Sequence, residues 1–352
     1  MINIEKFVKG LESSGVDFFC GVPDSLLKPF CAYVTDHCAD RHVIAANEGG
    51  AVALASGHYL ATGNPALVYM QNSGEGNAVN PLASLADPDV YSIPMVLLIG
   101  WRGEPGVHDE PQHVKQGKVT VPLMETMGIP VSVLDGVATA RRAVRQAKKE
   151  SRPVALIVRK GTFEAYQLQT KRPDIARARR EAVIERLLRK LPADAVIVST
   201  TGMISRELYE TRERRGEGHA RDFLTVGSMG HASQIALGIA MAQPKRPVVC
   251  LDGDGASIMQ MGNMAIVGQS GCANLTHIVL NNAAHDSVGG QPTVGGAIGL
   301  KRIAAACGYN RRGAPRFVEI RVAKGARSDL GRPKEPPQAN KRLFMKTLKG
   351  TK

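Results

Sequence analysis

The 352-residue chain is short of aromatic side chains, acidic charge and paired cysteines. Phe, Tyr and Trp make up 5% of it, with a single Trp at position 101. That is too few for an aromatic-dense β-sandwich, and none interleaves with the basic runs as a single-strand stacking platform requires. Cys20, Cys31, Cys38, Cys250, Cys272 and Cys307 form no C-x-x-C pair, which argues against a structural zinc site. A chain of this length buries enough apolar surface to need no disulfide scaffold. No stretch approaches the roughly 18–20 apolar residues of a membrane-spanning helix. The opening residues, MINIEKFVKG, carry charge where a secretory signal has an apolar run, so a cytoplasmic location is expected. Acidic residues number 32 against 45 Lys and Arg, a net charge of +13. The basic residues gather in 177–190, 206–221 and the C-terminal segment, without finger spacing or an RNP-like box. Neither a nucleic acid nor a membrane is the expected partner. An anionic small molecule remains.

What the chain has is glycine, 37 residues of it, placed between short apolar runs. Strands are expected at 16–20, 43–46, 66–70, 95–99, 130–134 and 154–158. A second series is expected at 195–199, 223–226, 247–251, 276–280 and 316–322. Helical spacing fills most intervals, including 50–61, 138–149, 175–189, 204–212 and 258–270. Residues 100–118 read as a long Gly/Pro loop. This alternation predicts an α/β protein with two doubly wound parallel-sheet domains, 1–165 and 181–352, joined by a polar linker at 166–180.

The unusual residues follow the strands, on the edge where open α/β sheets bind ligands. In the first half these are Gly21-Val22-Pro23-Asp24-Ser25, Asn47-Glu48-Gly49-Gly50, Asn72-Ser73-Gly74-Glu75-Gly76-Asn77 and Trp101-Arg102-Gly103-Glu104-Pro105. The last leads into Asp109-Glu110-Pro111-Gln112-His113. Turn chemistry alone explains any one of them, but four in succession point to a site. In the second half come Gly227-Ser228-Met229-Gly230-His231, then Leu251-Asp252-Gly253-Asp254-Gly255-Ala256-Ser257, then Asn281-Asn282. Gly255 and the next amides would open a helix from Ser257, and such amides suit a phosphate. Asp254 and Asn282 offer hard oxygen ligands. With one backbone carbonyl and two phosphate oxygens they would complete an octahedral Mg2+ site.

GDG followed by NN, with a Glu after an early strand, resembles the thiamine diphosphate enzymes. The stretches GVPDSLLKPF, ANEGGAVALASGHYLATG, IGWRGEPGVHDEPQHVKQG, GSMGHASQIALGIA, LNNAAHDSVGGQPT and KGARSDLGRP narrow the resemblance to the phosphonopyruvate decarboxylase family and its sulfopyruvate relatives. The resemblance implies the thiamine diphosphate-binding fold, and a cofactor whose thiazolium ring accepts the electrons released when a 2-oxo acid loses CO2. It implies the decarboxylation of 3-phosphonopyruvate to phosphonoacetaldehyde, or of sulfopyruvate as the alternative. It assigns Glu48 to the pyrimidine N1′, the Gly227 carbonyl to the 4′-amino group and Met229 to the wedge under the cofactor. Asp254, Asn282 and the Ala284 carbonyl would hold Mg2+, with Gly255 and Ala256 at the diphosphate. Asp24, His113 and His285 are the implied proton-moving residues, and Asp24, His113, Ser287 and Gln291 would meet substrate. Arg102, Lys115 and Lys118 are candidates for the phosphonate, which needs cationic partners. Glu48 would serve a neighbouring subunit's cofactor, so a homodimer or larger homo-oligomer is implied.

Four departures from that pattern stand out. Position 75 is Glu where an apolar residue is expected, and a carboxylate there would oppose an anionic substrate. Position 283 is Ala where Gly is expected, a minor change unless its φ is positive. Only Asn310–Pro315 joins Cys307-Gly308-Tyr309 to the last strand, so the second domain reads as missing one strand–helix unit. The basic tail, 324–352, shows little pattern beyond a short helix near 341–348. A homologue impaired in catalysis is therefore a competing reading. A dinucleotide-binding oxidoreductase lacks the G-x-G-x-x-G it would need after the first strand.

Overall fold

A computed structural model describes residues 1–170 and 172–350. The chain divides into two units, Met1–Lys171 and Arg172–Lys352.

In the first unit, strands β1 (Phe19–Gly21), β2 (His42–Ile44), β3 (Ala66–Gln71), β4 (Met95–Gly100), β5 (Val131–Val133) and β6 (Pro153–Val158) form one parallel sheet in the order β2-β1-β3-β4-β6-β5. Helices α1 (Ile4–Glu12), α2 (Lys28–His37), α3 (Glu48–Thr62), α4 (Glu75–Pro81), α5 (Pro111–Thr126) and α6 (Val137–Glu150) cover it. The central strands read as unbroken apolar runs because both faces are buried. Leu67, Tyr69, Val96, Leu98, Val154 and Leu156 face the core beneath α1, α2 and α6. Val68, Met70, Leu97, Ile99, Ala155 and Ile157 face the opposite core beneath α3, α4 and α5.

In the second unit, β7 (Val196–Ser199), β8 (Asp222–Leu224), β9 (Val248–Gly253), β10 (Leu275–Asn281) and β13 (Arg316–Arg321) make a parallel sheet in the order β13-β10-β9-β7-β8. A two-stranded antiparallel hairpin, β11 (Ala284–His285) with β12 (Gln291–Pro292), follows β10. The helices are α7 (Arg180–Lys190), α8 (Met203–Arg214), α9 (Ala232–Ala242), α10 (Asp254–Met259), α11 (Gly262–Gly268), α12 (Leu300–Cys307) and α13 (Pro337–Lys349). Strand for strand, the second sheet repeats the first: the chain's first four strands in each unit run 2-1-3-4, and the last strand pairs with the fourth. What is absent is the counterpart of edge strand β5 and of α6. The expected missing strand–helix unit is therefore located at the β13 edge.

Both outer edges of that sheet are capped by an asparagine amide. The main chain of β13 alternates, with Val322 N–H donating to Asn281 O of β10, so Phe317 presents its N–H and C=O outward. Asn310 Oδ1 accepts from Phe317 N at 2.9 Å and its Nδ2 donates to Phe317 O at 3.3 Å. At the other edge Asn340 Oδ1 accepts from Leu224 N at 3.1 Å and Nδ2 donates to Asp222 O at 2.8 Å. Each side chain takes the place of a strand residue at an exposed ladder position.

Several expectations need correction. Residues 111–118 are not loop: α5 begins at Pro111, where proline suits the first helical turn. Its buried face is His113, Gly117, Thr120 and Met124, too weakly apolar to give a helical signal. The segment 258–270 is two short helices, and the first starts at Asp254 rather than Ser257. The helix expected from residue 175 starts at Arg180. The tail is not patternless. Arg327 pairs with Glu181, Glu210 and Asp329, and Phe344 of α13 packs on Phe223.

Replacing either asparagine cap leaves buried main-chain groups without a partner, at about 1–2 kcal/mol each. Asn310→Ala and Asn340→Ala should each lower the urea midpoint, Asn340→Ala the more because Asn340 is itself buried and Asn310 is exposed. Unchanged midpoints would contradict the capping role.

Candidate active site

In the first unit three buried carboxyl groups stand just beyond strand ends. Asp24, following β1, is fully buried. Its Oδ2 accepts from Leu26 N at 2.8 Å and Leu27 N at 3.2 Å, which opens the turn into α2. Glycine at position 100 is required there, because a Cβ would lie 2.2 Å from Asp24 Oδ2. Burial pushes the Asp24 pKa up to about 6, against the pull of its backbone donors and of Arg102. This carboxyl therefore exchanges a proton near neutral pH.

Glu48 is the first residue of α3, whose cap is Asn47 accepting from Gly50 N at 2.8 Å. The Glu48 side chain is buried, and its Oε2 accepts from Asn77 Nδ2 at 2.7 Å. It lies across Gly74, where a Cβ would be 2.1 Å from Oε1. Burial raises its pKa and the Asn77 bond restrains the rise. The loop 72–77 thus makes the Glu48 cradle, a role for Gly74 and Asn77 that spacing does not reveal.

Glu75, the first residue of α4, is 1% exposed, and neither carboxyl oxygen has a hydrogen-bond partner among the described residues. Burial pushes its pKa up to about 8. At neutral pH it is a neutral acid, so the charge expected to repel an anionic substrate is absent.

Arg102 is not an open cation. Its guanidinium pairs with Asp109 through Nε at 2.7 Å and through Nη2, and Nη1 donates to Ser25 Oγ at 2.7 Å. It closes the loop after β4 onto the loop after β1. His113 lies on the buried face of α5, while Lys115 and Lys118 are exposed. That helix meets the loop at backbone distance: a Cβ at Gly117 would be 1.6 Å from Gly103 O, and Trp101 Nε1 donates to Gly117 O at 2.8 Å.

In the second unit the strand ends converge on Asp254. It is 2% exposed, and burial raises its pKa. Its Oδ2 accepts from Thr293 Oγ1, and its Oδ1 lies 3.4 Å from Asn282 N. Asn282 Oδ1 accepts from Ala284 N at 3.1 Å. Asp254, Asn282 and Ala284 are thus brought together. A Cβ at Gly295 would fall 2.5 Å from Asp254 Oδ2, so glycine is needed for that loop to close over the carboxylate. His285 lies against Gly255 at the start of α10, with a hypothetical Gly255 Cβ 3.0 Å from its Cε1. Its pKa is pushed down to about 4 by burial, so the imidazole is neutral. Gln291 stands directly opposite His285 in the hairpin, so both side chains leave the same face. Its amide is buried with both ends unpartnered among the described residues, as in a site awaiting a polar ligand. Ser287 is exposed near Gly202, and Gly227 and Met229 lie in a half-buried loop after β8. Behind the GDG turn, Asp252 accepts from Gly253 N at 2.9 Å and Ser257 Oγ at 3.1 Å, with His277 at 3.3 Å as its third partner. These residues fit a divalent cation: hard oxygen donors on adjoining segments, one of them a buried carboxylate whose charge a cation would relieve. The free amides at the start of α10 fit the phosphates that accompany such a cation.

Residues 4–122 match the thiamine pyrophosphate enzyme N-terminal TPP binding domain, and residues 200–345 match the corresponding C-terminal TPP binding domain. Thiamine pyrophosphate is thiamine diphosphate by its other name, so each unit matches a domain of the thiamine diphosphate enzymes. Phosphonopyruvate decarboxylase of Streptomyces viridochromogenes is 37% identical over 98% of this chain and 94% of its own length. That of Streptomyces hygroscopicus is 35% identical over 98% and 93%. Sulfopyruvate decarboxylase of Methanosarcina acetivorans is 26% identical over 86% and 82%. The chain belongs to the phosphonopyruvate decarboxylase family. The alignment with the S. viridochromogenes relative spans 383 positions, whereas 98% of this chain is about 345 residues, so that relative carries about 38 residues with no counterpart here.

Two departures from the family pattern give predictions. Ala283 has φ +56°, so the substitution is not minor: an L-residue is held in the left-handed region beside Asn282. Ala283→Gly should stabilise the protein by about 1 kcal/mol in chemical denaturation. No gain would mean the strain is absorbed elsewhere. Glu75 has a folded pKa of about 8 against 4.5 when free, so the folded state keeps a proton that the unfolded state releases. Its contribution to stability falls as pH rises between those values. Glu75→Leu should therefore raise Tm more at pH 8 than at pH 5, and an equal gain at both would contradict the buried, protonated state.

Proposed function

We propose that this enzyme decarboxylates 3-phosphonopyruvate to phosphonoacetaldehyde and CO2, using thiamine diphosphate and Mg2+, as a step of phosphonate biosynthesis. The observation that carries this reading is the 35–37% identity to phosphonopyruvate decarboxylases along 98% of the chain. The intact Glu48 cradle and Asp254–Asn282 set agree with it.

When bound, thiamine diphosphate supplies the electron sink for loss of CO2. Asp254, Asn282 and the Ala284 carbonyl would hold Mg2+, and the amides of Gly255 and Ala256 would bind the diphosphate. Glu48 would meet the pyrimidine ring. A carboxyl raised by burial suits this task, because it can share its proton with a ring nitrogen. The Gly227 carbonyl would accept from the cofactor's amino group, and Met229 would support the cofactor. Asp24, titrating near pH 6, and neutral His285, with His113, move the protons that the product needs. Ser287 and Gln291 position the substrate. Arg102 already balances Asp109, so the phosphonate charge is met by its outer N–H groups together with Lys115 and Lys118.

The working form is a homodimer or larger assembly. Helix α3, which begins at Glu48, leaves Ala53, Leu54, Gly57, Leu60 and Ala61 exposed along one stripe. Such a surface on a soluble helix suits burial against another copy. Six free cysteines suit a reducing compartment such as the cytoplasm, and among the described residues no helix is long and apolar enough to cross a membrane.

CO2 release should be measured side by side on phosphonopyruvate, sulfopyruvate and pyruvate, with phosphonopyruvate giving the highest kcat/KM. A higher value for sulfopyruvate would assign the enzyme to the alternative substrate, and no release from any would leave a homologue without catalysis. Glu48→Gln should cut kcat at least about 100-fold while thiamine diphosphate still binds. Retained turnover would remove Glu48 from its role.

A further inference from the structure

We propose that Asp286 is a positioning residue for the divalent cation, holding the Asn282 amide so that its oxygen, and not its nitrogen, faces the cation. The proposal rests on the functional reading above. An asparagine amide has nearly the same shape in both orientations, and only its oxygen can ligate a cation. Something must choose between the two. The Asp286 carboxylate accepts from Asn282 Nδ2 at 2.7 Å, and a carboxylate can only accept. That pins the NH2 group on one side and presents Oδ1 on the other, where it lies 3.1 Å from Ala284 N.

The anchor is itself immobile. Asp286 Oδ2 also accepts from Arg180 Nη1 at 2.8 Å and from Gly325 N at 3.0 Å. Arg180 is clamped in turn by Glu207, through Nε at 2.7 Å and Nη2 at 3.0 Å, with side chains only 4% and 3% exposed. Arg180 opens α7, Glu207 lies on α8 and Gly325 belongs to the tail, so three separate elements fix one carboxylate behind one amide.

Mg2+ titrated calorimetrically into protein saturated with thiamine diphosphate tests this, alongside Tm of the metal-free protein. Asp286→Ala, which removes the acceptor that orients the amide, should weaken Mg2+ binding about 10–100-fold. Glu207→Gln loosens the same cluster without touching Asn282. It should lower the metal-free Tm yet leave Mg2+ affinity within about threefold. In the double variant Asn282→Asp with Asp286→Ala, the carboxylate at 282 needs no orienting. Mg2+ affinity should then return to within about threefold of the natural protein. Unchanged affinity in Asp286→Ala, or an equal loss in Glu207→Gln, would overturn the proposal. Where Asp286→Ala is too unstable to titrate, the double variant decides: recovered binding supports it, and a folded double variant that does not bind Mg2+ overturns it. Failure of the unmodified protein to bind Mg2+ with the cofactor would instead sink the functional reading.

Discussion

Burying a carboxylate just past the end of a parallel strand is the constraint around which both units are built. Asp24, Glu48, Glu75 and Asp254 are each at most 4% exposed, and an ionised carboxylate so placed costs several kcal/mol unless it is compensated. Each is handled differently. Asp24 takes two backbone N–H groups of the turn it opens, Glu48 takes the Asn77 amide and Asp254 takes Thr293. Glu75 has no such donor and stays protonated. Three of the chain's glycines follow from the same constraint: Gly74, Gly100 and Gly295 are the places where a side chain would collide with one of these carboxylates. The chemistry follows from it too, since burial brings Asp24 close to neutrality and leaves Asp254 in need of a cation.

The net charge of +13 takes on a different meaning in this light. The ion-pair networks of the second unit do not hold that excess, because in them three arginines meet seven acidic groups and the surplus of basic charge lies elsewhere. Arg180 meets Glu207 and Asp286, Arg212 meets Asp222 and Glu217, and Arg327 meets Glu181, Glu210 and Asp329. These pairs fasten α7, α8 and the tail to one another. The tail is therefore part of the framework behind the candidate cation site, through Gly325 and Asp286.

Most of the architecture was open to reading from the chain alone, because apolar runs buried on both faces and glycine-rich turns are strong local signals. The Asp254–Asn282 pair and Glu48 were equally plain, each embedded in a distinctive turn. What stayed hidden was tertiary. Helix α5 buries His113, Gly117 and Thr120, a face with almost no apolar contrast, so it passed for loop. The hairpin of β11 and β12 has two residues per strand, below any periodicity. Asp286, Arg180 and Glu207 come from three distant segments and carry no motif. Asn310 and Asn340 look like ordinary loop and helix residues until the open strand edges they cap are known.

The central claim is that the second unit carries a working site for thiamine diphosphate and a divalent cation, centred on Asp254. Thermal unfolding with and without thiamine diphosphate plus Mg2+ tests it most directly. A ligand that binds only the folded state at about 100 times its Kd stabilises by about 2.7 kcal/mol, so Tm should rise by several degrees. Asp254→Ala should abolish that rise. No shift in the unmodified protein, or a shift of the same size in the variant, would contradict the account.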